Sequence, residues 1–145
     1  MPKVQEVMKK RNTSISPSAS LTEVARKIID CEAGVVTVCE KGKLRGIVTK
    51  ENIVSKIATN NCDLRKQKAV SVMKNNVPKI SPGVDITEAA KLMVNHNVQC
   101  MPVIQDGKLL GVLTLEDLLT ESPALAVIVM TKQHESKSRR VPKAA

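Results

Sequence analysis

The sequence predicts a mixed α/β (α+β) fold in which two tandem β-α-β-β-α units pack as a pseudo-two-fold pair. The first observation is an ungapped internal repeat: residues 7–54 align with residues 72–119 at a constant offset of 65, and 16 of these 48 positions are identical. The second is a capped amphipathic helix in each copy, and the third is a hairpin of two short strands behind that helix. A repeat of this length indicates one supersecondary unit used twice, so function depends on the unit and on the cleft between its copies.

The repeat divides the chain into three segments. Residues 1–65 hold the first unit, residues 66–130 hold the second unit with an additional apolar stretch, and residues 131–145 form a basic tail. The tail carries five basic residues against one acidic residue, a net charge of +4 in 15 residues. We interpret it as a solvated, disordered segment; contact with nucleic acid or an acidic partner is the alternative.

Each copy opens with a short amphipathic segment that ends in methionine, at Met8 and at Met73. A short strand is predicted next, over residues 13–16 and over residues 79–81. Pro17 and Pro82 end these strands, because proline cannot donate a hydrogen bond to a strand ladder.

The clearest helix signal follows, because Ser20-x-x-Glu23 and Asp85-x-x-Glu88 are both capping-box patterns. Behind each box, apolar residues recur at i, i+3, i+4, i+7 and i+8. This spacing predicts one buried stripe on each helix. The stripes consist of Leu21, Val24, Ala25, Ile28 and Ile29 in the first copy and of Ile86, Ala89, Ala90, Met93 and Val94 in the second.

Two strands joined by a tight turn complete each unit. The strands are predicted over residues 35–39 and 44–48, and over residues 100–104 and 109–113. The turns contain Gly42 and Gly107, and Asp106-Gly107 is the stronger hairpin signal. A second helix is predicted to begin at Thr49 and at Thr114.

An apolar run, residues 124–130, follows the second copy and has no counterpart after the first. Pro123 is expected to change the direction of the chain before it. Val127-Ile128-Val129 favours a strand, and the run is too apolar to remain in water. We therefore predict a buried strand, either on the protein's own sheet or across a subunit interface.

Composition excludes several classes of function. The chain has no Phe, Tyr or Trp, which argues against single-stranded nucleic-acid binding by base stacking. Its four cysteines show no C-x-x-C spacing, so we predict no metal site and reduced thiols in the cytoplasm. The longest apolar run is too short to span a bilayer. Neither histidine has a nucleophile at a suitable spacing, so we predict that the protein is not an enzyme.

Thr114 and Asp117 form the most informative pair of polar residues. A hydroxyl beside the unpaired N–H groups of a helix start suits a phosphate, and Asp117 can accept hydrogen bonds from both hydroxyls of a ribose. The same Thr-x-x-Asp spacing also describes a helix cap with an acidic first turn. Spacing alone favours the cap.

The Val-x-Met opening, the Ser-Pro before a capped helix, Met101-Pro102-Val103 and the Gly-x-x-Thr-x-x-Asp/Asn pattern together resemble the cystathionine-β-synthase-type (CBS) domain. Two such domains in tandem resemble a Bateman module, over residues 4 to about 122. The resemblance implies a stand-alone regulatory module that binds an adenosine-containing ligand, namely AMP, ADP, ATP, S-adenosylmethionine or NAD. It also implies that ligand binding transmits a conformational change to a partner protein, and that the module forms a homodimer.

The resemblance further implies that each ligand pocket combines residues of both copies. The main pocket would contain Thr114, Asp117, Ser16, Leu21, Gly34 and Val35. A weaker pocket would contain Thr49, Asn52, Ser81, Ile86, Gln99 and Cys100, because a neutral amide binds a ribose less strongly than a carboxylate does. Related proteins often place a basic residue just before the second strand, where this chain has Gly34 and Gln99. This departure disfavours a triphosphate and favours a nucleoside monophosphate or another adenosyl ligand.

Two alternatives of other classes stay open. In the first, the protein is a structural or assembly module whose pockets have lost their affinity, consistent with Asn52 and the missing basic residues. In the second, it is a nucleic-acid-associated factor that acts through the basic tail.

Overall fold

The computed structural model describes residues 1–9, 13–31, 34–61 and 63–131 of the chain. The predicted tail beyond Thr131, and Cys62, lie outside these residues. The elements in chain order are α1 (Val4–Val7), β1 (Ser14–Ile15), α2 (Leu21–Cys31), β2 (Val35–Glu40), β3 (Lys43–Thr49), α3 (Lys50–Asn60), α4 (Ala69–Val72), α5 (Ile86–Asn95), β4 (Cys100–Gln105), β5 (Lys108–Thr114) and α6 (Leu115–Glu121). A 3₁₀ turn (Pro123–Leu125) and a helix over 126–131, here α7, follow.

Each copy contains an antiparallel hairpin, β2 with β3 in the first and β4 with β5 in the second. The first copy adds β1 parallel to β2, whereas the second copy has a single parallel bridge between Ile80 and Val103. Thr37 N donates to Thr13 O at 2.8 Å. The equivalent Pro102 has no N–H, so this bond is missing from the second copy. The predicted class, a mixed fold of two repeated units, is confirmed, but the strand predicted over residues 79–81 is reduced to the single bridge at Ile80.

The hairpin turns have the geometry that their sequences predict. Lys41 and Gly42 have φ values of 53° and 78°, and Asp106 and Gly107 have values of 53° and 79°. Two successive residues in the left-handed region make a type I′ turn, whose twist matches that of the flanking strands.

Each copy has its own apolar core beneath its first long helix. In the first copy α2 buries Leu21, Val24 and Ile28, whereas Ile29 at the edge of the predicted stripe is 77% exposed. In the second copy α5 buries four residues of its predicted stripe, Ile86, Ala89, Ala90 and Met93. A small third cluster of Val35, Ile47 and Val112 joins the two units.

The opening segment of each copy lies against the other copy. Val4 of α1 is fully buried in the second core, and its N–H donates to Val84 O at 2.8 Å. In the same way, Ala69 of α4 is fully buried in the first core, and its N–H donates to Ala19 O at 2.8 Å. Each unit, as the repeat defines it, is therefore completed by the opening segment of the other.

The chain after each opening helix runs across a strand of the opposite unit. Lys9 forms an antiparallel bridge with Val112 on β5, and Lys74 forms the equivalent bridge on β3. A Cβ atom on Gly111 would lie 2.9 Å from Lys9 O, and one on Gly46 would lie 2.7 Å from Lys74 O. These two crossings therefore require glycine.

The prediction of a strand over residues 127–129 is wrong, because residues 126–131 are helical. Pro123 is favourable in the first turn of a helix, and burial of one side outweighs the strand propensity of the valines. Leu125 and Val129 are 3% and 5% exposed, whereas Val127 is 69% exposed. The predicted burial within the chain is thus confirmed for one side of the segment.

No helix in the described part of the chain has the length and apolar character needed to cross a membrane.

Candidate functional site

Thr114 and Asp117 form a reciprocal cap at the start of α6. Asp117 N donates to Thr114 Oγ1 at 3.1 Å, and Thr114 N donates to Asp117 Oδ2 at 3.1 Å. Both residues are buried, and the Asp117 side chain is only 4% exposed. The helix-cap interpretation of this pair is therefore confirmed, and the cap fixes the orientation of the carboxylate.

Thr49 and Asn52 form the same arrangement at the start of α3. Asn52 N donates to Thr49 Oγ1 at 3.2 Å, and Thr49 N donates to Asn52 Oδ1 at 3.0 Å. Both residues are only partly buried. Because Oδ1 accepts this bond, the remaining group of the Asn52 side chain is an NH₂ donor, whereas the remaining atom of Asp117 is a carboxylate oxygen.

Lys9 is a component of the site that the sequence did not predict. Its Nζ lies 3.6 Å from Asp117 Oδ1, and its side chain is 65% exposed. Lys9 comes from the opening segment of the first copy, whereas Asp117 belongs to the second. The identity of Lys9 and Lys74 in the repeat was the available signal, but nothing in the sequence showed that the opening segments cross.

The other predicted pocket residues differ in accessibility. Leu21 and Ile86 are fully buried in the two cores, so their side chains offer no surface to a ligand in this structure. Ser16 is exposed, and its Oγ lies 3.0 Å from Ser18 Oγ. Ser81 and Gln99 are also exposed, and Gly34 is partly buried.

Val35 and Cys100 connect the two predicted pockets across the junction of the units. Val35 belongs to the cluster that joins the copies, and Cys100 packs against that cluster. Val35 pairs with Thr49 across the first hairpin, and Cys100 pairs with Thr114 across the second. Burial, with a smaller contribution from the charge of Glu51, raises the pKa of the Cys100 thiol to about 11. Cys100 is therefore a neutral apolar group at physiological pH.

A buried polar contact distinguishes the first copy and was not predicted. Thr13 and Thr37 are 1% and 0% exposed, and their Oγ1 atoms lie 3.3 Å apart. Ser14 Oγ lies 3.2 Å from Thr37 Oγ1. The second copy has Pro78, Lys79 and Pro102 at these positions. The two copies therefore differ in these strand residues as well as at Asn52 and Asp117.

No group of three or more His, Cys, Asp or Glu side chains in the described part of the chain is arranged to hold a metal ion. The polar groups of the site form the cap hydrogen bonds and an ion pair between Lys9 and Asp117.

The sequence matches the CBS domain model twice, over residues 4–59 and 69–124. An uncharacterised protein of Methanopyrus kandleri is 30% identical over 128 residues, which cover 87% of this chain and 65% of the relative. The chain thus spans about two thirds of the length of that relative.

Solved structures show the same fold. The CBS domain pair of the protein MJ0100, in complex with methylthioadenosine and S-adenosylmethionine, superimposes with a TM-score of 0.76 at 24% identity and covers 86% of this chain and 98% of that one. A hexameric CBS-CP12 protein from bloom-forming cyanobacteria has a TM-score of 0.73 at 25% identity and covers 83% of this chain and 72% of that one.

Proposed function

Because the chain belongs to the CBS domain family, we propose that it is a regulatory module, not an enzyme, that binds an adenosine-containing ligand in the cleft between its two units. The observation that carries this proposal is the Asp117 carboxylate, which is held by the Thr114 cap with one oxygen facing the Lys9 ammonium. The similarity to a domain pair that binds methylthioadenosine and S-adenosylmethionine supports an adenosyl ligand.

The chemistry of Asp117 suits a ribose. Its Oδ2 accepts the cap bond from Thr114 N, so the carboxylate plane is fixed before a ligand arrives. A vicinal diol can donate two hydrogen bonds to a charged carboxylate, and such bonds are stronger than bonds to a neutral amide. The diol takes the place of the Lys9 ammonium at Oδ1, because that contact is exposed on the lysine side.

The same exchange offers a route for regulation. Lys9 lies at the end of the opening segment that the second unit holds through Val4 and Asp117. A ligand that replaces Lys9 at the carboxylate weakens this attachment, so the ligand favours a state in which the opening segment is less firmly held. A partner protein that contacts this segment senses occupancy of the cleft, and its binding is coupled reciprocally to that of the ligand.

The test is a thermal-shift panel of AMP, ADP, ATP, S-adenosylmethionine and NAD, followed by titration calorimetry of the best ligand. Asp117→Ala should weaken binding at least tenfold, because it removes the charged acceptor. Asn52→Ala is the matched control at the equivalent position and should weaken binding less. Equal losses in the two variants, or no binding by any of the five compounds, would contradict the proposal and favour a purely structural module.

We also propose a homodimer. Ile29 on α2 and Val54 and Ile57 on α3 are 77%, 64% and 42% exposed, and nothing in the described part of the chain covers them. An exposed apolar surface of this kind on a soluble protein marks an interaction site. The similarity to a hexameric CBS protein supports self-association.

The alternative of nucleic-acid binding through the tail concerns residues outside the described part and stays a prediction.

A further inference from the structure

An open groove lies on the outer side of the second copy, between α5 and α7. Its volume is about 400 Å³, which is within the range of small-molecule sites. We infer that this groove binds a short-chain fatty carboxylate, with the Lys91 ammonium at the carboxylate and the apolar side chains of α7 along the acyl chain. The inference goes beyond the proposed function, because none of the groove residues belongs to either predicted ligand pocket.

Two helices form the sides of the groove. Among the residues that the structure describes, α5 contributes Lys91 and Asn95, and α7 contributes Val127, Ile128 and Thr131. Lys91 and Asn95 are four positions apart, as are Val127 and Thr131, so the members of each pair lie on the same side of their helix. They are separated by about 6 Å along the helix axis. A groove with sides of this length accommodates a short chain.

The α7 side of the groove offers apolar surface to a ligand. Val127 is 69% exposed, and Ile128 is partly buried and packs against the second core. Water therefore contacts apolar side chains inside a concave space, and a ligand that displaces this water gains from burial of both surfaces. A concave site with mostly apolar sides and a few polar groups is typical of small-molecule binding.

Lys91 determines the charge of the ligand. It is the charged residue among the described residues that line the groove, and it forms no ion pair within the described part of the chain. Glu88 is one turn earlier on α5 but is not paired with it. Lys132, the residue after Thr131, lies outside the described residues and carries a charge of the same sign. One unpaired ammonium matches one negative charge, so the ligand is a monoanion.

The other polar groups of the groove suit a carboxylate. The Asn95 amide and the Thr131 hydroxyl can both donate hydrogen bonds. A carboxylate has two oxygen atoms and accepts several such bonds, and bonds to a charged acceptor are stronger than bonds to a neutral one. The acyl chain then lies against Val127 and Ile128, which contribute the apolar part of the groove.

The repeat provides a matched control within the same chain. The positions of Lys91 and Asn95 are occupied by Arg26 and Asp30 in the first copy. The apolar run that forms α7 has no counterpart after the first copy, and Asp30 carries a negative charge where Asn95 has an amide. Arg26 thus has the charge of Lys91 without the apolar side of the groove.

The experiment titrates the full-length ¹⁵N-labelled chain with butanoate, hexanoate, octanoate and decanoate at constant ionic strength, below the concentrations at which they form micelles. The backbone amides of residues 91–95 and 127–131 should shift. The affinity should rise by up to about fourfold for each methylene that the groove covers, and it should stop rising once the chain is longer than the groove. Uncharged 1-octanol should bind more weakly than octanoate.

Two variants separate the contributions of charge and apolar surface. Lys91→Gln should raise the dissociation constant of octanoate about two- to fivefold, the usual effect of one exposed ion pair. Arg26→Gln should leave it unchanged. Val127→Asp should weaken binding more than Lys91→Gln does, because it removes apolar surface and adds a like charge. Lys91 and Val127 are both exposed, so each variant should keep the fold.

Three outcomes would overturn the inference. In the first, the amide shifts appear around Ile29, Val54 and Ile57, which would show unspecific binding to exposed apolar surface. In the second, the affinity rises with chain length without limit, or Lys91→Gln leaves it unchanged. In the third, the groove amides shift when the protein is concentrated without any carboxylate, which would assign the groove to a second copy of the chain.

Discussion

The outer sides of the two copies are covered differently, although their sequences repeat. In the second copy the chain continues past α6 and folds back, so that Leu125 belongs to the core beneath α5 and α6 and Ile128 packs against it. In the first copy Ile29, Val54 and Ile57 are exposed, whereas their equivalents in the second copy are Val94, Leu119 and Ser122, all of which are partly buried. The comparison shows that the repeat specifies the inner cores, and that residues outside the repeat decide what happens at the outer surface.

The largest expected effect on stability concerns residues 123–131, which cover the outer side of the second copy. Leu125→Ala should destabilise the protein by about 2–5 kcal/mol, because it opens a cavity in the second core. Val127→Ala is the matched control on the exposed side of the same segment and should change the free energy of unfolding by less than about 0.5 kcal/mol. Urea denaturation measures both. Similar losses in the two variants would show that the segment is not anchored as described.

A second prediction concerns the crossings that make the copies alike. Gly46→Ala places a Cβ 2.7 Å from Lys74 O and 3.1 Å from Met73 Sδ. Either β3 or the segment that follows α4 must therefore move. We expect a loss of about 1–3 kcal/mol on denaturation, the usual effect of overpacking. Gly83→Ala meets nothing within 4 Å and should be nearly neutral. A Gly46→Ala variant with an unchanged free energy of unfolding would show that the opening segment of the second copy is not tightly held on β3.

The smallest expected effect on stability is at the exposed side of α3. Ile57→Asp should leave the folded monomer within about 0.5 kcal/mol of the unmodified protein, because the side chain is accessible. It should nevertheless shift the molecular mass in light scattering from dimer to monomer. Ile128→Asp tests the other location, since the apolar run was expected to form either an interface or an intrachain contact. If only the Ile128 variant becomes monomeric while folded, the interface lies at α7 and the assignment to α3 is wrong.

Most of the fold could be predicted because its signals are local. The capped stripes of α2 and α5 and the turns at Gly42 and Gly107 each depend on residues close in sequence, and the repeat presents every signal twice. The cap at Asp85 differs in one detail, because Asp85 accepts from Thr87 N at 2.8 Å, one residue earlier than a capping box requires. The helix at 126–131 was missed because its residue preferences favoured a strand, and only the distant core decides its conformation.

The site was less predictable because its parts come from distant segments. Spacing identified Thr114 and Asp117 as a helix cap, and the CBS resemblance alone suggested a binding role for them. The ion pair of Asp117 with Lys9 depends on a crossing that no local pattern records. The contact between Thr13 and Thr37 was missed because polar side chains in a strand are ordinarily expected to face solvent.

The crossed opening segments have a consequence for the order in which the chain is completed. During synthesis the first core emerges before Ala69, which closes it, so that core is finished only after the chain has passed into the second repeat. Residues 1–9 are made before β5 and α6 and must wait for them, because Lys9 and Asp117 are 108 positions apart. Contacts of such long sequence separation slow folding. The opening segment is thus made before most of the residues that hold it, and it is among the last parts of the two units to reach its final position.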